Sequence, residues 1–246
     1  MMLDIILVGY GQMGRMIEQI APQHNLNVLA KIDPFLGNSI DQMDFSDNAV
    51  CLEFSTPESA AENLRKLIRK GQKIVCGTTG WLQDLSEISQ LVIDYHAALV
   101  YGSNFSFGMN IFYRLVEEAA KKFNNLIEYD PYGFEVHHQR KKDSPSGTAR
   151  ILGDILLKNL DRKTEVCFEK LDRKIKPHEV HFASLRAGEV PGTHLIGFDS
   201  TADTIELKHT AHNRLGFALG AIIAAKWVAD KKGIFEFGSV FDSVMV

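Results

Sequence analysis

The chain has 246 residues, 45% of them apolar and 24% charged, with a net charge of −4. That is an ordinary globular composition, long enough for one large or two modest domains, and it argues against a generic nucleic-acid binder because no basic stripe or aromatic platform goes with it. Cys51, Cys76 and Cys167 are odd in number and far apart, which excludes a disulfide framework or a zinc knuckle and suits a reducing cytoplasm.

The sequence runs from Met1-Met2 into a strand pattern with no signal-peptide signature ahead of it. Its longest apolar stretch, Phe217 to Ala225, is cut by Lys226 and falls short of a membrane span. The expectation is a soluble, cytoplasmic protein with no membrane or nucleic-acid partner.

Leu3 to Val8 is a nearly continuous apolar run, the pattern of a buried parallel strand. Gly9-Tyr10-Gly11-Gln12-Met13-Gly14 follows at once, and Met16, Ile17 and Ile20 then repeat at helical spacing. A Gly-x-Gly-x-x-Gly turn between strand and helix is a dinucleotide-binding signal, because its glycines allow the tight turn and let a pyrophosphate approach the backbone. A second strand, Val28 to Ile32, ends in Asp33, 19 residues past Gly14. An acidic side chain at that spacing takes the adenosine ribose hydroxyls. Asp33 would repel a 2′-phosphate, and Pro34 stands where an arginine would help hold one, so the cofactor expected is NADH, or at most either NADH or NADPH.

Three more strands are expected at Ala49–Phe54, Lys73–Cys76 and Ala98–Tyr101. A helix follows the first of them, opened by a Ser55/Glu58 capping box and stopped at Gly71. Another spans about Leu82 to Tyr95, and a third spans Phe107 to Phe123. Strands alternating with helices predict a doubly wound parallel sheet of Rossmann type, with ligands outside the carboxyl ends of the strands. The loops Gly77-Thr78-Thr79 and Gly102-Ser103-Asn104-Phe105 lie at such ends.

The texture then changes. Phe134, Glu135 and Val136 lead into His137-His138, a basic run Arg140-Lys141-Lys142, and Ser144-Pro145-Ser146-Gly147-Thr148 ahead of an apolar helical pattern that starts at Ala149 and runs to Leu160. Pro, Gly and small hydroxyl residues together mark a helix N-terminus, which favours an anion. Imidazoles trade protons near neutral pH and lysine holds a carboxylate or gives up a proton. The stretch is equipped for proton transfer to an anionic small molecule, with Ser146 to Thr148 suited to one carboxylate. Thr79 is placed to reach the same carboxylate from the cofactor side on closure of a cleft.

This string resembles the signature of the dihydrodipicolinate reductases of the lysine and diaminopimelate pathway, Glu-x-His-His-x-x-Lys-x-Asp-x-Pro-Ser-Gly-Thr-Ala. It is met here by Glu135, His137, His138, Lys141, Asp143, Pro145, Ser146, Gly147, Thr148 and Ala149. The resemblance implies an NAD(P)H-dependent reduction of a cyclic dicarboxylate, hydroxy-tetrahydrodipicolinate. It implies His137 as proton donor or acceptor, Lys141 as proton donor, and His138, Gly147 and Thr148 as substrate holders. It also implies that the Gly77–Thr79 and Gly102–Phe105 loops line the nicotinamide side, and a homotetramer built through open sheets. Ser184-Leu185-Arg186-Ala187-Gly188 and Arg214 are weaker echoes of the same family.

Alternating segments at Glu165–Phe168, Val180–Arg186, Thr193–Phe198 and Ile205–Thr210, with turn residues between, predict a largely antiparallel open sheet in a second α+β domain. A helix from Arg214 to Asp230 returns to the first domain. The division expected is 1–105 with 214–246 for the dinucleotide and 106–213 for substrate and oligomerisation, with hinges near Asn104–Ser106 and Asn213–Arg214. Seven of the nine histidines lie in the second half, but no His-Glu-x-x-His helix forms and no carboxylate completes a set around His178/His181 or His209/His212, so no metal is expected. Rival readings are an amino-acid dehydrogenase sharing the cofactor half, and a dinucleotide sensor without catalysis; turnover on the dicarboxylate separates both.

Overall fold

The computed structural model describes residues 2–45 and 48–244; Met1, on which part of the N-terminal reading rests, lies outside them. The chain divides into two compact units, Met1–Phe107 with Arg214–Val246, and Gly108–Asn213.

In chain order the first unit begins β1 (Leu3–Val8), α1 (Gln12–Ile20), β2 (Leu26–Ile32), β3 (Val50–Glu53), α2 (Pro57–Arg69), β4 (Lys73–Cys76), α3 (Leu85–Asp94) and β5 (Ala98–Tyr101). The second unit contributes α4 (Phe107–Phe123), β6 (Asp130–His137), α5 (Gly147–Asn159), β7 (Glu165–Cys167), β8 (Glu179–Arg186), β9 (Thr193–Asp199) and β10 (Thr204–Thr210). The chain then returns to the first unit as α6 (Leu215–Val228), β11 (Gly233–Glu236) and α7 (Phe237–Val244).

The first sheet has six strands in the order β11-β5-β4-β3-β1-β2, every pairing parallel. The unbroken apolar run of β1 is explained by burial on both faces: Ile5 and Leu7 pack into one core with α1 and α6, Ile6 and Val8 into the other with α2 and α3. That is the doubly wound arrangement expected. A sixth strand was not. β11 pairs with β5, and its four residues are too few to show a period. The α2 cap also differs: Thr56 is the N-cap and Ser59 completes the box, with Pro57 opening the helix, while Ser55 turns back to Glu53.

The second sheet runs β10-β9-β6-β8-β7. β9 pairs antiparallel with both β10 and β6, but β6–β8 and β8–β7 are parallel. It is therefore mixed where a largely antiparallel sheet was expected. The reason is α5, which crosses over one face and returns the chain in the direction of β6. Its covered face is a core of Phe112, Val116, Leu152, Leu156, Phe182, Ile196 and Phe198.

Candidate active site

In the first unit, the turn after β1 shows why glycine is needed. Gly9 has φ +90°, and a Cβ there would stand 2.4 Å from the Phe54 carbonyl oxygen, while one on Gly14 would stand 2.5 Å from the Gly9 oxygen. At Gly11, the N-cap of α1, a Cβ would meet nothing within 4 Å, so the helix start is open to a ligand. Tyr10 donates its N–H to Asp33 at 2.7 Å, and Phe35 donates to the other oxygen at 2.9 Å. Asp33 is thereby fixed against the glycine turn. Lys31 pairs with Glu18 at 3.0 Å and lies 4.8 Å over the Tyr10 ring.

At the ends of β1, β3 and β4 a cavity of about 240 Å³ is lined by Met13, Phe54, Ser55, Pro57, Gly77, Thr78 and Thr79. The structure thus joins Met13 of the glycine turn to the Gly77–Thr79 loop. Phe54, Ser55 and Pro57 were not read from the sequence as site residues, although the pattern of a strand followed by Ser-Thr-Pro matches the other loops at strand ends. The Thr78 hydroxyl is buried with no hydrogen-bond partner among the described residues, a polar atom in want of a ligand. Beneath the cavity Glu53 is fully buried and takes Asn63 at 3.1 Å and the Ser55 hydroxyl.

Phe105 turns its side chain inward. Its ring is 2% exposed and packs on Phe237, with centroids 4.4 Å apart, as part of the core. Its side chain is a packing element, because a phenyl beside α6 and α7 gains more from burial than from an open loop. Asn104 accepts from Ser106 N–H at 2.9 Å, Gly102 donates to Cys76 O at 3.3 Å, and Ser103 is exposed.

In the second unit the string from Glu135 to Ala149 is organised by one carboxylate. Along β6 the inward positions hold Pro131, Gly133, Glu135 and His137, while Phe134 and Val136 sit on the opposite face. A strand that buries its charged members in preference to its apolar ones is spending stability on a site. Glu135 is 0% exposed. One oxygen accepts from Ser146 N–H at 2.9 Å, Ser184 Oγ at 2.9 Å and Arg186 Nη2 at 3.2 Å. The other accepts from the Ser146 hydroxyl and faces His137 Nδ1 and His194 Nε2, each at 3.4 Å. Burial raises the carboxyl's proton affinity, but the contacts from His194, Ser146 and Ser184 outweigh it and hold Glu135 well below the usual carboxylate range.

His137 is 7% exposed, and burial pushes its imidazole down from 6.5 to about 4, despite the opposing pull of Glu135. It is a neutral ring at neutral pH. Its Nε2 runs along Gly192, where a Cβ would come within 3.1 Å of it. Lys141 pairs with Asp143 at 2.7 and 2.9 Å, and Arg186 donates to the Asp143 carbonyl at 2.5 Å, pinning the basic loop beside β8. His138 is half-buried, with Nδ1 buried and unpartnered. Arg140 forms a two-pronged ion pair with Glu189 on the exterior.

α5 begins at Gly147, two residues before the expected start, with Ser146 as N-cap; its hydroxyl accepts from Ala149 N–H at 3.1 Å. The Ser144–Pro145 peptide is cis. Ser146 is 3% exposed, and its hydroxyl is committed to Glu135 and Ala149. Gly147 is exposed, and space is open where its Cβ would stand.

Glu135, Ser184 and His194 meet because β8 and β9 flank β6 in register: Glu135 lies opposite Ser184 on one side and His194 on the other, and His137 lies opposite Arg186. Sequence spacing alone does not reveal that register, although a carboxylate inside a strand signals that partners must exist. Among the described residues, two groups bring potential metal-ligating atoms within 4.8 Å: Glu135/His137/His194 and Glu165/His178/Glu179. The second supplies carboxylates around His178 that the sequence reading did not foresee, through the pairing of β7 with β8. In each group one carboxylate is occupied by donors, Glu135 as above and Glu179 by Arg173 at 2.6 and 2.8 Å. Cys51, Cys76 and Cys167 are free thiols. Among the described residues no helix is long and apolar enough to cross a membrane.

Models of the dihydrodipicolinate reductase N-terminus and C-terminus match residues 3–105 and 108–241. A 4-hydroxy-tetrahydrodipicolinate reductase from Christiangramia forsetii is 36% identical over 242 residues, covering 98% of this chain and 99% of that protein. Among solved structures, dipicolinate-bound dihydrodipicolinate reductase from Paenisporosarcina sp. TG-14 superposes with a TM-score of 0.74 at 21% identity, covering 96% of this chain and 98% of that one. An amine dehydrogenase from Mycobacterium smegmatis gives 0.61 at 13% identity over 96% and 95%. At those identities the two structures speak to the fold.

Proposed function

The chain belongs to the dihydrodipicolinate reductase family, and on that premise we propose how its own residues divide the reduction of 4-hydroxy-tetrahydrodipicolinate. The enzyme is an NAD(P)H-dependent oxidoreductase of diaminopimelate and lysine biosynthesis. Substrate, hydride and a proton give tetrahydrodipicolinate and water, and the dinucleotide supplies the hydride when bound.

The residues fit such a group: an open helix start at Gly11, and an unpartnered Thr78 hydroxyl in a cavity shared by Met13 and Thr79. Gly9 to Gly14 cradle the pyrophosphate, Asp33 takes the ribose, and Gly77 to Thr79 with the backbone of Gly102 to Phe105 hold the nicotinamide end. Thr79 also reaches the substrate.

His137, Lys141, His138, Gly147 and Thr148 handle the dicarboxylate. Lys141 carries positive charge to it and donates the proton that balances the hydride, while neutral His137 takes up a proton and returns it within the same turnover, so that one proton is consumed in all. Gly147 and Thr148 at the tip of α5 hold one carboxylate by charge-assisted hydrogen bonds, each contributing roughly 1.5–3 kcal/mol. Ser146 acts from behind, as the link between that tip and Glu135. The observation that carries this reading is the gathering of His137 and the start of α5 around one buried carboxylate. The test is oxidation of NADH or NADPH with substrate made in situ from pyruvate and aspartate semialdehyde; no oxidation with either cofactor sinks it.

NADH is the preferred cofactor in this proposal. Asp33 presents a fixed negative charge at the ribose, and the neighbouring cation Lys31 is spent on Glu18. Steady-state kinetics with both cofactors decide it, and a strong preference for NADPH refutes the argument. We further propose a cytoplasmic homotetramer, supported by the apolar Phe134, Val136 and Leu185 on the outer face of the second sheet, Leu185 being 55% exposed. Light scattering on the purified protein measures the mass.

A further inference from the structure

The Glu135 constellation does more than hold β6 and α5 together. His137 Nδ1 is buried, with no partner in good hydrogen-bond geometry among the described residues, and the oxygen facing it is that of the Glu135 carboxylate at 3.4 Å. A neutral imidazole can turn either a lone pair or an N–H toward that oxygen. A lone pair there would oppose a fully buried anion at low local dielectric, whereas an N–H is attracted to it. His194 meets the same oxygen through Nε2, and the two rings stand edge to face with centroids 5.1 Å apart. Both imidazoles are therefore oriented by one charge, from two strands.

We propose that Glu135 is a positioning residue, holding His137 as the Nδ1–H tautomer turned inward, so that Nε2 is its proton-accepting edge, while fixing the tip of α5 through Ser146. This rests on the reading of His137 as a proton-transfer group and gives it a direction: in the resting enzyme His137 accepts at Nε2, and Lys141 is the donor. Gly192 belongs to the device, since its missing side chain leaves Nε2 unobstructed. His194 keeps the second lobe of the same carboxylate oxygen occupied, which prevents Glu135 from turning away.

The tautomer is directly measurable. Long-range nitrogen–proton correlation spectra of the full-length protein labelled with 15N-histidine report which ring nitrogen carries the proton, and His137→Gln identifies the signal by its loss. A protonated Nδ1 with a bare Nε2 is expected at neutral pH; an Nε2–H ring, or an averaged mixture, overturns the proposal. Kinetics supply the second arm. Glu135→Gln should lower kcat by about 100-fold with the KM for NADH unchanged, as misorientation of a reacting group does, and Glu135→Asp should recover part of the loss. If Glu135→Gln does not fold, the tautomer of the unsubstituted protein still decides. Should His137→Gln keep a normal kcat, the reading of His137 itself fails; should it lose activity while folded Glu135→Gln keeps it, this inference fails alone.

Discussion

In the proposed proton transfer Lys141 is the donor and His137 a group that takes up and returns a proton, and the two side chains have different surroundings. Lys141 sits in a loop with its ammonium against Asp143, where it can exchange that partner for a substrate carboxylate. If it donates a proton only in the transition state, Lys141→Ala lowers kcat by about 10²–10⁴-fold with a smaller change in KM, measured by initial rates of NADH oxidation. His137 has a consequence for stability. Its ordinary value of 6.5 applies to the unfolded chain and about 4 to the folded one, so between these pH values the unfolded chain binds the extra proton. Its contribution to stability is complete above about pH 6.5 and is lost as pH falls toward 4. Melting temperature should therefore decline through that window, less steeply in His137→Gln. The groups that face the ring are Glu135, His194, Lys141 and Arg186, and the last three, as cations or potential cations, deepen the depression.

At the scale of elements, the start of α5 has two duties that share one atom. The Ser146 hydroxyl caps the helix and donates to Glu135. Ser146→Ala removes the cap, worth about 1 kcal/mol, and strips a donor from a buried anion, worth about 1–3 kcal/mol more. Urea unfolding should show a loss larger than a cap alone explains, and a loss of 1 kcal/mol or less would mean that the link to Glu135 contributes nothing. The same comparison shows what sequence reading reached. β1, its glycine turn and α1 were legible because strand, turn and helix signals are all local and adjacent. The central string was legible as chemistry, and Lys141 and Gly147 stand where that reading put them, in the basic loop and at a helix start. Ser146 was not legible as a buried link, since a serine near a helix start reads alike whether it faces outward or inward. Nor were Ser184, Arg186 and His194, which reach Glu135 only through the register of β8 and β9. The parallel pairings of the second sheet escaped for a related reason: alternation marks a half-buried strand without stating its neighbour's direction.

At the scale of the molecule, the first unit is written in two pieces of chain. Its sheet ends at β11, and one of its two cores depends on α6, whose Ala218, Ala221, Ile222 and Ala225 are all buried against Ile5, Leu7 and Leu52. A fragment ending at residue 213 would lack both. Calorimetry should show the first unit's melting transition lost and no protection by NADH, leaving only a transition of the second unit, which the fragment retains whole; a transition that NADH shifts upward would show that the first five strands suffice. The close approach of α6, where a Cβ on Gly220 would stand 1.7 Å from the Phe105 carbonyl oxygen, makes that dependence intimate. On the ribosome this imposes an order of events. The nucleotide-binding half is translated first yet closes last, waiting with an open edge at β5 until the final few dozen residues emerge, so the middle of the gene product is free to settle before the beginning is finished.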